Sequence, residues 1–103
     1  MVIFTRTATI VPGKTVKAMA FAANIAEVAT KVGGTKVSVM APIASGTAGL
    51  IAWRAEFENL GAMEKAIDKL LGNTDYMSML SQAEGLFVAG GGQDIVWRDV
   101  QAR

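Results

Sequence analysis

The segment 50–57, Leu-Ile-Ala-Trp-Arg-Ala-Glu-Phe, constrains the fold most strongly, because its alternation predicts a β-strand with two unlike faces. Successive side chains of a strand point to opposite sides. One side is purely apolar and carries Ile51, Trp53, Ala55 and Phe57. The other ends in Arg54 and Glu56, which are close enough to pair or to hold a polar ligand between them. The second face is therefore either covered by another layer or lines a wet site.

The remaining segments predict one domain over residues 1–103, since a chain of 103 residues closes a single core. Further strands are predicted by β-branched or alternating residues and by flanking breakers, at 2–11, 35–42 and 94–100. Helices are predicted at 14–32, ending on a glycine pair, and at 60–71, capped by Asn59. A short helix capped by Thr74 follows, and the glycines at 90–92 are expected to form a hinge.

The first helix has a narrow polar stripe, whereas a helix that lies on a protein surface normally shows a wide one. We therefore expect it to be buried on two sides, one against its own sheet and one against a second subunit or a neighbouring segment. Its bulky residues form a ridge that could dock another protein, made of Phe21, Ile25, Val28 and Val32.

The composition favours an oligomer, because 51% of the residues are hydrophobic and the mean hydropathy is +0.35. A small monomer has a high ratio of surface to volume and needs a more polar surface than this. We expect a homodimer or a higher homo-oligomer.

Several functional classes are disfavoured by what the sequence contains. The net charge is +1 without a basic run, so nucleic acid is not an expected partner. The absence of histidine and cysteine removes the usual ligands of haem and transition metals. The N-terminus does not resemble a signal peptide, and no apolar run reaches the ~20 residues that span a bilayer. We expect a cytoplasmic protein without metal, cofactor or membrane partner.

Three short motifs carry a resemblance to a known family. They are Ile-Val-Pro-Gly-Lys at 10–14, Asn-Leu-Gly-Ala-Met at 59–63 and Asn-Thr-Asp-Tyr at 73–76. With the order β-α-β-β-α-β, they resemble the dimeric α/β barrel superfamily, especially small antibiotic-biosynthesis-monooxygenase-like proteins. The resemblance implies a ferredoxin-like α+β fold, with an antiparallel sheet in the order 4-1-3-2 and both helices on one face. It also implies a homodimer whose sheets close into a barrel, with a pocket between each sheet and its helices.

The same resemblance limits the chemistry. Haem-degrading relatives place an asparagine about where Arg6 stands and a histidine in the segment that here reads Met-Ser-Met-Leu at 77–80. Haem binding and histidine-dependent activities are therefore not expected. The remaining enzymatic possibilities are cofactor-free monooxygenase-like or isomerase-like chemistry on an activated aromatic or hydrophobic substrate. The alternative is a non-catalytic module for ligand binding or protein assembly.

Charged residues near the middles of three adjacent predicted strands form the first candidate site. Arg6, Arg54 and Arg98 would form a cationic cluster if their faces coincide, with Glu56 and Asp94 as counterions. Such a cluster could hold a carboxylate or phenolate ligand through bidentate hydrogen bonds. A salt-bridge network is the more common role of such a cluster, because buried charges are nearly always paired.

Aromatic residues complete the candidate pocket. Trp53 and Trp97 could stack on a ligand and Tyr76 could hydrogen-bond to it, although such residues also serve as core. Glu56 is a poor acid/base candidate, because the adjacent Arg54 would favour its charged form. The predicted pocket residues are Arg6, Trp53, Arg54, Tyr76, Trp97 and Arg98.

Overall fold

A computed structural model describes residues 1–101 and contains the predicted order of strands and helices. The elements are β1 (Val2–Thr9), α1 (Thr15–Gly33), β2 (Val37–Met40), β3 (Leu50–Phe57), α2 (Leu60–Leu71), α3 (Thr74–Leu80), a short 3₁₀ helix (Ser81–Ala83) and β4 (Gln93–Arg98). The first, second and last strands are shorter than predicted, since the pairing with neighbouring strands ends at Thr9 in β1, spans only Val37–Met40 in β2 and ends at Arg98 in β4.

The four strands form one antiparallel sheet in the order β2-β3-β1-β4. Read from the other edge this is 4-1-3-2, so the predicted ferredoxin-like α+β architecture is confirmed. The sheet places β1 and β3 at its centre and leaves β2 and β4 as its edges.

The strand register decides which side chains share a face. Arg6 of β1 lies opposite Trp53 of β3 on one side and opposite Asp94 of β4 on the other. The indole Nε1 of Trp53 donates to the carbonyl oxygen of Ala22 in α1 at 3.1 Å, so this is the face on which the helices pack. We call it the helix face, and we call the opposite face, which includes Thr5 and Arg54, the bare face.

The core lies between α1 and the helix face. Ile51 is completely buried, and α1 contributes Ala18, Phe21, Ala22, Ile25, Ala26 and Ala29. The prediction of an exposed docking ridge is therefore wrong at Phe21 and Ile25. The neighbouring alanines follow the same spacing of three and four residues, so the bulky and small residues form one apolar face that packs inward.

The outer surface of α1 is open in the single chain, where Val16 is 84% exposed. The helix does contact neighbouring segments, because it packs against α2 and α3 as well as β2. Burial of its outer surface by a second subunit stays a prediction.

Helix ends follow the sequence with one correction. Asn59 caps α2 as predicted, its side-chain oxygen accepting a hydrogen bond from the Ala62 N–H at 2.8 Å. The cap of α3 is Asn73 rather than Thr74, because Asn73 has extended backbone angles and its Oδ1 accepts from the Tyr76 N–H at 2.8 Å. Gly34 ends α1 in the left-handed conformation, with φ at +79°.

The segment between α3 and β4 packs against the end of β1, which the sequence did not indicate. Phe87 forms an isolated bridge with Ile10, and the Val88 N–H donates to the Thr9 carbonyl at 2.8 Å. Leu86 is buried. This irregular segment therefore closes one end of the core.

Candidate functional site

A cavity of about 730 Å³ lies between the helix face of the sheet and helices α1, α2 and α3. This volume falls within the range of about 300–1,000 Å³ that is typical of small-molecule sites. Its lining is predominantly apolar, and its larger side chains include Phe4, Phe21, Ile25, Trp53, Leu70 and Phe87.

Three aromatic rings build one wall of the cavity. Phe87 meets Phe21 edge-to-face with 6.0 Å between ring centres, and it meets Trp53 in the same way at 5.9 Å. Aromatic pairs with this geometry are favourable beyond their burial alone. Trp53 was predicted as a pocket residue, whereas Phe87 was missed. The one available signal was the apolar run Leu-Phe-Val at 86–88 between glycine-containing turns.

A charged pair borders the cavity where β1 meets β4. The Arg6 Nε donates to Asp94 Oδ1 at 2.8 Å, and its second nitrogen, Nη2, donates to Oδ2 at 2.9 Å. Both side chains are half-exposed. The guanidinium carbon also lies 5.7 Å from the centre of the Phe4 ring, close enough for a cation–π contact. The Arg6 guanidinium is therefore held by two hydrogen bonds to the Asp94 carboxylate and by a cation–π contact with the Phe4 ring.

The pair shifts both pKa values in the directions that favour the charged forms. The hydrogen bond from Arg6 lowers the pKa of Asp94, partly offset by burial and reinforced by the charge attraction. The pKa of Arg6 is raised chiefly by its hydrogen bond to Asp94, against the opposing effect of burial. Asp94 is therefore held as a carboxylate and is a weak general base.

Tyr76 supplies a further polar group of the cavity. Its backbone is fixed at the start of α3 by Asn73, and its side chain is buried. The phenol lies near enough to Arg6 to contribute electrostatically to the raised pKa of the guanidinium. Within residues 1–101 the hydroxyl has no hydrogen-bond partner, so it is available to a ligand.

The predicted cluster of three arginines does not form. Arg54 lies opposite Thr5 rather than Arg6, so alternation places its side chain on the bare face, where it pairs with Glu56 at 3.4 Å. Arg98 shares the helix face with Arg6 but stands at the end of β4, outside the lining of the cavity. The cluster was predicted on the condition that the three faces coincide, and the register does not meet this condition at Arg54.

Trp97 is also separated from the cavity. It lies on the bare face, opposite Ile3, and its indole Nε1 donates to Thr5 Oγ1 at 2.9 Å. Of the six predicted residues, Arg6, Trp53, Arg54 and Tyr76 are among those that line the cavity. Arg54 differs from the other three because its side chain pairs with Glu56 on the bare face.

Residues 1–101 hold neither a cluster of metal-ligating side chains nor a membrane-crossing helix. This part of the chain contains no cluster of three or more histidine, cysteine, aspartate or glutamate side chains that could hold a metal ion. None of its helices combines the length and the apolar character needed to cross a bilayer.

Comparison with known proteins places the fold among solved structures. No protein-family model and no curated protein matches the sequence. An uncharacterised NIPSNAP domain protein from Burkholderia xenovorans superimposes with a TM-score of 0.82 at 11% identity, over 98% of this chain and 96% of that one. The chain has the fold of this protein. The likeness at this identity establishes the fold alone.

Two oxygenase-type proteins share the same fold. A candidate antibiotic biosynthesis monooxygenase from Deinococcus radiodurans gives a TM-score of 0.71 at 16% identity, covering 100% of this chain and 96% of that one. SnoaB, a cofactor-independent oxygenase from Streptomyces nogalater, gives 0.70 at 12% identity, covering 98% and 94%. The ferredoxin-like fold of this chain is thus found in NIPSNAP and monooxygenase-like proteins.

Proposed function

We propose that this chain binds an aromatic or hydrophobic small molecule in the cavity and acts on it as a cofactor-independent, monooxygenase-like enzyme. The observation that carries the proposal is an apolar cavity of about 730 Å³ with Arg6 and Tyr76 among the residues that line it. Apolar walls with a few convergent polar groups are the usual form of a small-molecule site. The shared fold with a cofactor-independent oxygenase supports the choice of chemistry.

The active form in this proposal is a homodimer. The helices occupy one face of the sheet, and the bare face carries apolar groups such as Ile3, Ile95 and Trp97. Trp97 is 50% exposed in the single chain. Packing this face against a second sheet would remove that apolar surface from water, which is the main driving force for association.

Monooxygenation without a cofactor requires a substrate that supplies both electrons itself. An aromatic compound with an activated CH₂ group meets this need, because its enol form is a phenol that loses a proton and then reacts with molecular oxygen. One oxygen atom becomes the new carbonyl, and the second leaves as water with the two hydrogens of the CH₂ group. No external reductant is consumed.

The residues of the cavity suit such a substrate. The Arg6 guanidinium would stabilise the phenolate by charge and hydrogen bonding, and the Tyr76 hydroxyl would hydrogen-bond to the same oxygen. Asp94 would keep Arg6 in place rather than remove the proton, since its lowered pKa makes it a weak base. The aromatic wall of Trp53 and Phe87 would stack on the rings of the substrate.

Binding is tested with anilinonaphthalene sulfonate, an apolar aromatic anion whose fluorescence rises in apolar sites. Arg6→Ala should weaken binding at least about tenfold, which corresponds to the loss of one charged contact. The matched control is Arg54→Ala, because this residue borders the cavity but its side chain pairs with Glu56 on the bare face. Equal affinities for the wild type and both variants would exclude the cavity beside Arg6 as the binding site.

Activity is tested by oxygen uptake with anthrone, whose enol form is a phenol and whose oxidation gives anthraquinone and water. The wild type should consume oxygen faster than the uncatalysed reaction, and Tyr76→Phe should slow it without unfolding the protein, since the hydroxyl has no partner within residues 1–101. When the reaction is run with isotopically labelled molecular oxygen, one labelled atom should appear in the new carbonyl group of anthraquinone.

A second candidate is a ligand-binding module without catalysis. The mutual pairing of Arg6 and Asp94 favours it, because both groups already have a partner in the absence of ligand. Binding of the fluorescent anion without oxygen uptake on anthrone and related phenolic compounds would support this candidate and overturn the enzymatic one.

A further inference from the structure

The outer edge of β4 exposes backbone groups, and their direction follows from hydrogen bonds at the end of β1. The Ile10 N–H donates to Gly49 of the loop before β3 at 2.9 Å, whereas the Thr9 carbonyl accepts from Val88 at 2.8 Å. Backbone groups alternate in direction along a strand, so the odd-numbered residues of β1 face β4.

The register then shows, for each residue of β4, whether its backbone N–H and C=O groups point towards β1 or away from the sheet. Ile3, Thr5 and Thr7 lie opposite Trp97, Ile95 and Gln93, so these three residues of β4 bond to β1. The backbone groups of the intervening residues point away from the sheet, and these residues are Asp94, Val96 and Arg98.

The two edge strands differ in how far their outward backbone N–H and C=O groups are covered. At the β2 edge, the Val37 N–H donates to Thr30 Oγ1 of α1 at 2.9 Å, and the strand is only four residues long. Within residues 1–101, no comparable group meets the outward N–H and C=O groups of Asp94, Val96 and Arg98. Unprotected edges are templates for pairing with another strand. β4 also lacks the proline and lysine that commonly block such pairing.

We propose that β4 pairs with β4 of a second copy of this chain, antiparallel and centred on Val96. A two-fold axis at Val96 sets Asp94 opposite Arg98 of the partner subunit, and the reverse pair follows by symmetry. Opposite charges therefore face each other twice, which stabilises cross-strand pairs. Shifting the register by two residues in either direction keeps the backbone groups matched but loses both charge pairs.

The apolar side chains fit the same register. Val96 is 45% exposed and Trp97 is 50% exposed in the single chain. On the helix face Val96 would meet its own symmetry mate, and on the bare face Trp97 would meet Ile95 of the partner subunit. Pairs between aromatic and β-branched residues are favourable on neighbouring strands. The pairing thus covers apolar surface on both faces of the sheet.

The interface would also change the candidate site. Asp94 already binds Arg6, so Arg98 of the partner subunit would give this carboxylate a second cationic neighbour beside the cavity. Arg6 would then share Asp94 and interact more strongly with an anionic ligand. The edge interface itself goes beyond the proposed function, because it requires neither a ligand nor catalysis.

The first test replaces Val96 by proline. This removes an outward N–H that the contact between β1 and β4 does not use, and proline is tolerated at edge positions of this kind. The mass measured by sedimentation should fall by half, whether the wild type is a dimer or a tetramer. Val96→Thr keeps the N–H and the β-branched shape, so this control should retain the wild-type mass.

Arg98→Glu gives a second route that leaves the backbone untouched. It places like charges opposite each other twice and should also halve the mass.

A cross-linking experiment tests the position of the two-fold axis. The chain contains no cysteine, so Val96→Cys provides a single thiol at the proposed axis. A short bis-maleimide should link this variant into dimers, whereas Ile43→Cys, at a fully exposed position between β2 and β3, should remain unlinked.

The proposal is overturned if the wild type sediments as a single copy, or if Val96→Pro and Arg98→Glu fold and both keep the wild-type mass. Absence of cross-linking in Val96→Cys would overturn it as well. Binding of anilinonaphthalene sulfonate by Val96→Pro separates the two proposals, because an intact cavity should still bind this probe when the edge interface is lost.

Discussion

Arg6 of β1 and Asp94 of β4 face each other across two adjacent strands and are joined by two hydrogen bonds, of 2.8 and 2.9 Å. On its other side Arg6 lies opposite Trp53, which belongs to the aromatic wall of the cavity. The register of the central strands thus places a fixed cation between a carboxylate and an apolar pocket. This arrangement can orient an aromatic anion, and it also links the site to the stability of the sheet.

The first prediction concerns the pH dependence of that pair. Because Arg6 lowers the pKa of Asp94, the pair stabilises the fold above the pKa of an unfolded aspartate, about 3.9. This contribution is lost as the pH falls through the lower pKa of the folded state. Both side chains are half-exposed, so we expect at most about 1 kcal/mol.

Urea unfolding of the wild type and Asp94→Asn measures this effect. The wild type should be more stable at about pH 7, and the difference should shrink as the pH falls below the pKa of an unfolded aspartate, about 3.9, because the carboxylate becomes protonated. Glu56→Gln is the control, because it neutralises the counterion of Arg54 on the bare face. The prediction would be contradicted if the difference in unfolding free energy between the wild type and Asp94→Asn did not depend on pH.

The second prediction compares the two tryptophans. Trp53→Phe removes a part-buried hydrogen bond to the Ala22 carbonyl and some packing against Phe87, so we expect a loss of about 1–2 kcal/mol in unfolding free energy. Trp97→Phe removes an exposed hydrogen bond to Thr5 and should cost about 0.5 kcal/mol or less. Denaturant unfolding followed by circular dichroism compares them. Equal losses would contradict the assignment of the two residues to opposite faces.

Strand alternation predicted which residues of each strand share a side, but it could not predict which sides coincide between strands. Trp53 joins Arg6 because the β1–β3 register sets them opposite each other, and the same register places the side chain of the adjacent Arg54 on the bare face. A register depends on pairing between distant segments, and turn residues constrain it only for hairpins. The fold was therefore predictable from the order of the elements, whereas only part of the site was.

Phe87 shows a second limit of sequence reasoning. It lies outside the helices and strands, so no periodicity marks the side that it presents to the core. Its position depends on the bridge to Ile10 and on backbone bonds to the end of β1. These contacts join residues far apart in the chain, and local residue patterns carry no information about them.

The third prediction separates two candidate caps of α3. Asn73→Ala removes the side-chain oxygen that accepts from the Tyr76 N–H, and such a loss typically costs about 1 kcal/mol. Thr74→Ala affects the first helical residue and should change stability by less than about 0.5 kcal/mol. Thermal or urea unfolding distinguishes the two. A larger loss for Thr74→Ala would restore the cap predicted from the sequence.

The fourth prediction concerns the glycines before β4. A Cβ added to Gly92 would lie 2.8 Å from the Thr7 carbonyl oxygen, which is closer than such atoms approach in proteins. Because that oxygen belongs to the backbone of a central strand, relief requires β4 to move away from β1. Gly92→Ala should therefore destabilise the protein by about 1–3 kcal/mol, the usual cost of overpacking.

Gly46→Ala is the matched control, because a Cβ at Gly46 would have no atom within 4 Å. This substitution should be neutral or stabilise the fold by less than about 1 kcal/mol, since alanine restricts the unfolded chain. Displacement of β4 would also separate Asp94 from Arg6, so Gly92→Ala should change the affinity for anilinonaphthalene sulfonate while Gly46→Ala does not. If the urea midpoints of Gly92→Ala and Gly46→Ala both equal that of the wild type, Gly92 does not lie as close to the Thr7 carbonyl oxygen as described.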